Sequence, residues 1–488
     1  MSETHSHTKY TRGFIILLLQ CCLLHTVKAQ RVLDIYQILA MAEEKSLLAE
    51  QAEQNAQIGY WQYRFHLSNN KPRLMFNGEL PNLNRTIIPV TQNDGSETFR
   101  ERSLVTSLLE VSLSQNITPT GGTFFASSQI NRIDLLGSPS TTSYLSYPIL
   151  VGIRQPIGSF NPFKWANKIE PLKYKISQKK YREELELSKI KALGLFFELL
   201  YAQENLDFSK TELSKADTLL LIAKNRHSVG KITDNELLKN EIIFLQSKQK
   251  NMQSWAYYNF ALKQFQLFFA NQDSVFLKMP NQIPRIIVNK SLALERLKNN
   301  SLKALETQQR IMEMEKDVAI AKSNARLKMD LSLSFGLSKN ASEFDQLYTK
   351  TQDQENIRLG FQIPVLDWQR GKAEVRVALL QKKITETKEK RAFSELELEL
   401  GYEIDLLQLA IEQLAISKKT QEMTQKSYQM TLTEYLSGVM SLENLEKSLE
   451  SKNTATQNYL KQLESIWLNY YKIRMFTLYD FEKNIPLD

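Results

Sequence analysis

Apolar residues in this chain recur with two different periods. Between 393 and 414 they fall three or four apart, at Phe393, Leu396, Leu400, Ile404, Leu407, Ile411 and Leu414. That is a heptad seam, the pattern of one helix packed along another. A second stripe, Leu398, Tyr402, Leu409 and Ile416, runs beside it. Two adjacent stripes give a helix partners on two sides, which suits a ring or sheet of helices better than a simple dimer. No proline interrupts 172–279 or 365–485, and both runs are rich in Leu, Glu, Lys and Gln. Such runs predict helices far longer than the ordinary globular helix. The 58 residues from 171 to 228 would extend about 87 Å if continuous. Elsewhere the period is two. Residues 72–80, 148–157, 327–337 and 356–365 read as strands, and 108–117 and 122–130 alternate like the arms of a hairpin around Pro119-Thr120-Gly121-Gly122.

These segments are written twice. Pro156 and Gly230 are 74 residues apart, as are Pro364 and Gly438, and one offset of 208 maps the first pair onto the second. The same offset carries the seam back to Leu185, Ser188, Ala192, Phe196, Leu199, Gln203 and Leu206, a weaker version at the same phase. A repeat this long is a duplicated half-domain, not a solenoid unit. Each glycine interrupts a long helical stretch. Gly commonly closes a helix in the left-handed conformation, and Thr233-Asp234 and Ser441 are suited to cap the helix that follows. Each half is therefore expected to hold a long antiparallel helical hairpin with a tight tip.

The expected organisation is a first repeat at 30–285 and a second at 286–488. The first contains a helix, strands 72–80 and 148–157 separated by a long insertion (82–147), and a helical hairpin 166–270 with its tip at 226–234. The second contains a helix, strands 327–337 and 356–365, and a hairpin 369–475 with its tip at 434–442. The first repeat is longer by 47 residues, and the excess lies between its two strands. It is either an extracellular lid or an extra hairpin in the wall of a barrel.

Composition narrows the setting. Lys9 and Arg12, the apolar stretch Gly13–Leu24 and Val27-Lys28-Ala29 before Gln30 have the layout of a secretory signal peptide, 1–29. Its removal takes away both cysteines, Cys21 and Cys22, and lowers the formal charge from +8 to +6. Lys and Glu are interleaved along the helices, a solvated surface and not a nucleic-acid stripe. No later stretch has 18 consecutive apolar residues, so a membrane crossing would have to be a β-barrel. The mature chain has two histidines, His66 and His227, and no cysteine, which argues against a zinc site or a thiol nucleophile. No catalytic residue, cofactor or metal is expected.

The duplication, the strand–Gln–Pro–helix starts at Gln155-Pro156-Ile157 and Gln362-Ile363-Pro364, and the two tips resemble the TolC family of outer-membrane efflux and secretion channels. Arg226, Val229, Gly230 and Thr233 form the first tip; Tyr435, Gly438 and Ser441 form the second. The resemblance covers nearly the whole mature chain. It implies a mixed α+β, mostly α fold: a trimeric β-barrel in the outer membrane of a Gram-negative bacterium, continuing into a long periplasmic α-helical barrel, with two structural repeats per chain. It further implies a passive exit duct, not an enzyme. Its expected partners are two further copies, outer-membrane lipid, a periplasmic adaptor (membrane fusion) protein at the tips, and an inner-membrane RND or ABC transporter. Asp234 and Tyr435 fall at positions of the periplasmic gate. Met440, Asn444 and Lys447 stand where some members carry an ionic lock, a departure from that pattern. Phe160, Phe163, Trp165 and Trp368 follow strands, where an interfacial aromatic belt or ordinary packing would use them. The rival readings are an exported periplasmic adaptor and a structural coiled-coil protein. The cargo is not legible.

Overall fold

The structure, a computed structural model, describes residues 31–137, 139–270, 275–280, 283 and 286–487. The expected signal peptide lies outside the described residues. The chain opens with β1 (Arg31–Leu33), α1 (Ile35–Glu44) and α2 (Leu47–Asn69). Four strands follow: β2 (Arg73–Thr91), β3 (Glu97–Ile117), β4 (Gly122–Leu135) and β5 (Thr141–Ile157). Helices α3 (Pro162–Ser228) and α4 (Asp234–Phe268) complete the first repeat, and β6 (Val275–Leu277) lies in the linker. The second repeat runs α5 (Lys290–Asn300), α6 (Leu302–Asn324), β7 (Lys328–Ala341), β8 (Gln352–Gln362), α7 (Arg370–Ser437) and α8 (Leu442–Thr477). Two short strands, β9 (Tyr479–Asp480) and β10 (Ile485–Pro486), end the chain.

Two compact units divide these elements. One, Asn55–Lys180 with Ser301–Leu396, contains a single antiparallel sheet in the order β2-β3-β4-β5-β7-β8. Several strands outrun their expected bounds. The strand expected at 72–80 continues to Thr91, and the insertion at 82–147 is not a separate loop: β3 and β4 occupy most of it. Pro81 and Pro89 had disguised this segment. They are tolerated because β2 is an edge strand, where an absent N–H need not break a ladder. The strand expected at 356–365 starts at Gln352 and stops at Gln362, before Pro364. The helix expected from 166 begins at Pro162, which suits a first helical position, and it accommodates Pro171.

The lower turn of the β3–β4 hairpin is tied to its surroundings. Asn161 Nδ2 donates to the carbonyls of Thr118 (2.9 Å) and Pro119 (3.2 Å), and Gln155 Nε2 donates to Thr120 O (3.0 Å). Gln115 Nε2 donates to Asn70 O at 2.8 Å, next to the end of α2. At the other end, the Ser146 hydroxyl donates to Leu347 O, and Leu347 is fully buried over β5 and β7.

The second unit comprises the described residues within 31–54, 181–300 and 397–487. Its core joins residues far apart in sequence: Ile38 of α1, Phe196 and Phe197 of α3, Trp467 and Tyr470 of α8 are all essentially inaccessible. The helix expected ahead of the first strand is two helices, α1 and α2. Ser46 lies between them, accepting from Ala49 N and meeting the Ser188 hydroxyl at 2.7 Å. Gln203 brackets β6 through Leu277, donating to its carbonyl and accepting from its amide at 3.0 Å each.

A buried ionic hub ties the end of the chain into this core. Arg474 makes two bonds to Glu186 (2.9 and 3.2 Å) and one to Asp480 (2.6 Å). Tyr470 OH donates to Asp480 at 2.8 Å, and Lys189 pairs with Glu186 at 2.9 Å. Burial pushes the Asp480 carboxyl up, but the Arg474 guanidinium outweighs it and holds the group below the usual carboxylate range. Arg474→Ala is expected to cost about 3–5 kcal/mol, because it leaves two carboxylates buried beside an emptied site. A fall in the thermal midpoint of the helical circular-dichroism signal measures it, and an unchanged midpoint would contradict this account. A depressed carboxylate contributes stability that is present above its unfolded value of about 3.9 and lost as pH falls through the folded one. The wild-type midpoint should therefore drop on acidification below about pH 4, and the drop should be shallower in Arg474→Ala.

Candidate functional site

The sheet has one apolar and one polar face. Successive pairings align Leu74, Leu113, Ala126, Val151, Phe335 and Glu355 across the six strands. From this row towards the helix-bearing ends, the same face carries Ile153, Leu333 and Leu331, then Ile357, Leu359 and Phe361. The opposite face carries Asn116, Thr123, Arg154, Ser332 and Arg358 in another row, with Asn77, Glu110 and Gln129 nearby. Outward apolar and inward polar alternation is the signature of a transmembrane barrel wall. The middle of the β3–β4 hairpin follows it, with Val111, Leu113, Phe124 and Ala126 on the apolar face and Glu110, Ser112, Ser127 and Gln129 on the polar face. Among the described residues no helix is long and apolar enough to cross a membrane.

The two helical tips close by the same hydrogen-bond pattern. At the first, Gly230 has φ +70° and Lys231 N donates to Arg226 O at 2.9 Å. At the second, Gly438 has φ +83° and Val439 N donates to Glu434 O at 2.9 Å. No atom lies within 4 Å of a Cβ built on either glycine, so backbone conformation and not space selects Gly here. Thr233 then caps α4 in a reciprocal box with Glu236, and Ser441 caps α8 by accepting from Asn444 N.

The tips touch through Arg226, whose Nη2 donates to Leu436 O at 3.3 Å. Arg226 and Tyr435 line a cleft of about 630 Å³ together with Glu236, Lys239, Met440 and Glu443. Burial raises the Tyr435 hydroxyl, with Arg226 opposing and Glu236 reinforcing the shift. Asp234 is not brought to this cleft. It is exposed and lies 2.6 Å from His227 Nε2, across its own tip. Lys447 pairs locally with Glu443 at 2.6 Å, and Asn444 contacts Met440 sulfur at 3.2 Å. Val229 is exposed beside Gly230. The His227–Asp234 pair was not anticipated; a basic residue ending one helix and an acid starting the next was its signal.

The four aromatic residues differ among themselves. Phe160, Phe163 and Trp165 are half-buried around the start of α3, with Lys168 Nζ 5.3 Å from the Trp165 ring centre. Trp368 is 85 % exposed and sits at φ +51° just before α7.

Residues 293–467 match the sequence model of a family described as outer membrane efflux protein. Solved outer-membrane structures share the fold over most of the chain. The CmeC channel of Campylobacter jejuni is 11 % identical with a TM-score of 0.67, covering 93 % of this chain and 86 % of its own. The outer membrane protein VceC of Vibrio cholerae is 8 % identical with a TM-score of 0.62, at 93 % and 97 % coverage. The MtrE channel of Neisseria gonorrhoeae is 12 % identical with a TM-score of 0.60, at 91 % and 88 %. No curated protein sequence matches. The chain shares the fold of these outer-membrane channel structures, and its residues 293–467 carry the sequence pattern of the outer membrane efflux protein family. It resides in the Gram-negative outer membrane, extends into the periplasm and serves efflux.

At the tips, Gly438→Ala should cost about 1–2 kcal/mol, the penalty of left-handed backbone for a residue with a Cβ, and Gly438→Asn less. Hydrogen exchange at the Val439 amide reports it directly, because its bond to Glu434 depends on that turn. Equal protection in all three forms would count against the conformational reading.

Proposed function

We propose that the protein is the exit duct of a tripartite efflux pump or type I secretion system, working as a homotrimer. An inner-membrane RND or ABC transporter delivers substrate through a periplasmic adaptor protein that docks on the helical tips. Arg226, Val229, Gly230 and Thr233 form one docking edge; Tyr435, Gly438 and Ser441 form the other. The observation that carries this reading is that each repeat joins strands of membrane-wall pattern directly to a helix of 67 or 68 residues, with a capped hairpin tip at its far end.

A homo-oligomer is favoured by the helices. On α7, Tyr402, Leu409, Ile416, Met423 and Met430 follow one another at intervals of seven and are all exposed. On α4, Leu238, Leu245 and Met252 do the same. Exposed heptad stripes are seams awaiting partner helices. Conduction is passive, along the polar inner face of the sheet. The cleft lined by Arg226 and Tyr435 acts at the periplasmic entrance, and Asp234 acts from the tip surface through His227. Phe160, Phe163, Trp165 and Trp368 lie at the lipid–water boundary.

In planar lipid bilayers the purified protein should give discrete conductance steps. Protein that leaves membranes without detergent and never conducts would sink the proposal. Arg226→Ala removes the bond to Leu436, worth about 1 kcal/mol, so the open fraction of the entrance should rise severalfold. Single-channel recording of wild type beside Arg226→Ala measures it.

A further inference from the structure

The sheet ends at two unpaired edges, β2 and β8. Leu74 and Phe76 are 70 % exposed on one edge, Ile357 79 % and Phe361 75 % on the other. The apolar face reaches both edges, through Leu74 and Phe76 on β2 and Ile357, Leu359 and Phe361 on β8. In lipid an open edge has no water to satisfy its N–H and C=O groups, so it must be paired. Six strands are too few to close a barrel in one chain. Because the number is even, β2 and β8 run in opposite directions, and β8 of one copy can meet β2 of another antiparallel.

The register can be read as well. Glu355 and Leu74 lie in one row across the sheet. Below that row β8 continues seven residues to Gln362, whereas β2 begins only one residue away at Arg73. The helix-bearing edge of the sheet therefore climbs six residues across one copy. Level strand ends in a ring require each copy to be shifted by those six residues. With three copies the stagger totals about 18 residues over about 18 strands, a tilt of about 35° at 3.3 Å per residue and 4.8 Å between strands. That is the tilt membrane barrels adopt. The shift also preserves the faces: it sets Phe361 opposite Leu74, both apolar-side residues, and Arg358 opposite Asn77, both polar-side residues.

We propose that three copies close one 18-stranded barrel, β8 of each pairing with β2 of the next in the register Phe361–Leu74, Leu359–Phe76 and Ile357–Gly78. The proposal rests on the homotrimeric channel reading and adds to it the seam and the width of the wall. The β3–β4 hairpin is a structural part of that wall. It widens the barrel to about 34 Å across the backbone, against about 22 Å for four strands per chain at the same tilt.

Oxidative cross-linking of the full-length protein in membranes tests it. The only native cysteines, Cys21 and Cys22, lie in the expected signal peptide. Asn77→Cys combined with Arg358→Cys should form a ladder of covalent dimers and trimers on a denaturing gel, and each single variant should not. Glu79→Cys with Asn356→Cys keeps the same register and serves if the first pair is not recovered in the membrane. The native mass should be that of three chains. A mass of two chains would overturn the barrel, and trimers that do not cross-link at either pair would overturn its seam. Stronger cross-linking of Asn77→Cys with Asn356→Cys would overturn the register. Conductance recorded from the same preparations separates the two readings. Conductance without a cross-link rejects this seam alone, and a cross-link without conductance upholds the seam while removing the duct.

Discussion

A backbone inside a bilayer has nothing to bond to except itself, and that constraint shapes this chain more than any single contact. It explains why apolar residues alternate with polar ones across all six strands and do not form a long continuous run. It explains why the strands are antiparallel and even in number, since only then do the two free edges match. It also explains where irregularity is permitted. The bulges between Glu79 and Asn82, Ser127 and Gln129, and Ser146 and Ile149 all lie on the side of the Leu74–Glu355 row away from the helices. Leu80-Pro81 falls at the first of them, where a missing donor does not interrupt the seam residues Leu74–Gly78.

The helical unit answers a different constraint. Its helices are amphipathic with charged, water-facing sides, so little of each surface is available for a private core. What core there is gathers around Phe196, Phe197, Trp467 and Tyr470, and the Arg474–Glu186–Asp480 hub pins the end of α8 beside it. Burying such charges is not in itself a source of stability, because desolvation offsets much of the attraction. Its effect is specificity: the Arg474 guanidinium meets both Glu186 oxygens as a fork, which fixes the approach of residues 474–480 to α3. The remaining apolar stripes on α4 and α7 stay open, and such stripes need neighbouring copies to cover them.

The duplication, the hairpin tips and most strand positions were legible because each depends on local periodicity or on a glycine and a cap. Gly230 and Gly438 announced left-handed turns, and Thr233 and Ser441 announced the helices after them. The role of the 47-residue excess was not legible. Residues 108–117 show alternation, but whether Leu109, Val111 and Leu113 face lipid or a lid interior depends on which strands they pair with. That information lies in Val151, Phe335 and Leu74, scattered over the chain. The extension of β2 to Thr91 was hidden by Pro81 and Pro89, which read as loop residues until the strand is known to be an edge. Long-range ionic partners were invisible for the same reason: nothing near Arg474 indicates Glu186, 288 residues away. At the tips, the family resemblance put Asp234 and Tyr435 in one gate. The folded hairpins assign Tyr435 to the cleft with Arg226 and leave Asp234 to His227.

The two repeats therefore diverge where duplication would otherwise make their roles identical. The first repeat carries four strands of the sheet and the second carries two, so each copy presents unlike edges. Pairing β2 with β2, or β8 with β8, about a two-fold axis would invert one copy in the membrane; pairing head to tail, β8 with β2, keeps every copy upright and generates rings. The tips show the same asymmetry. Arg226 of the first reaches a carbonyl of the second, while the residue matching it by the 208 offset, Glu434, accepts from its own turn instead. A symmetric duplication would leave its tips equivalent. The single cross-tip bond from Arg226 removes that equivalence. What distinguishes the halves is thus what the proposed ring uses: unlike edges for its seams and unlike tips at its periplasmic end.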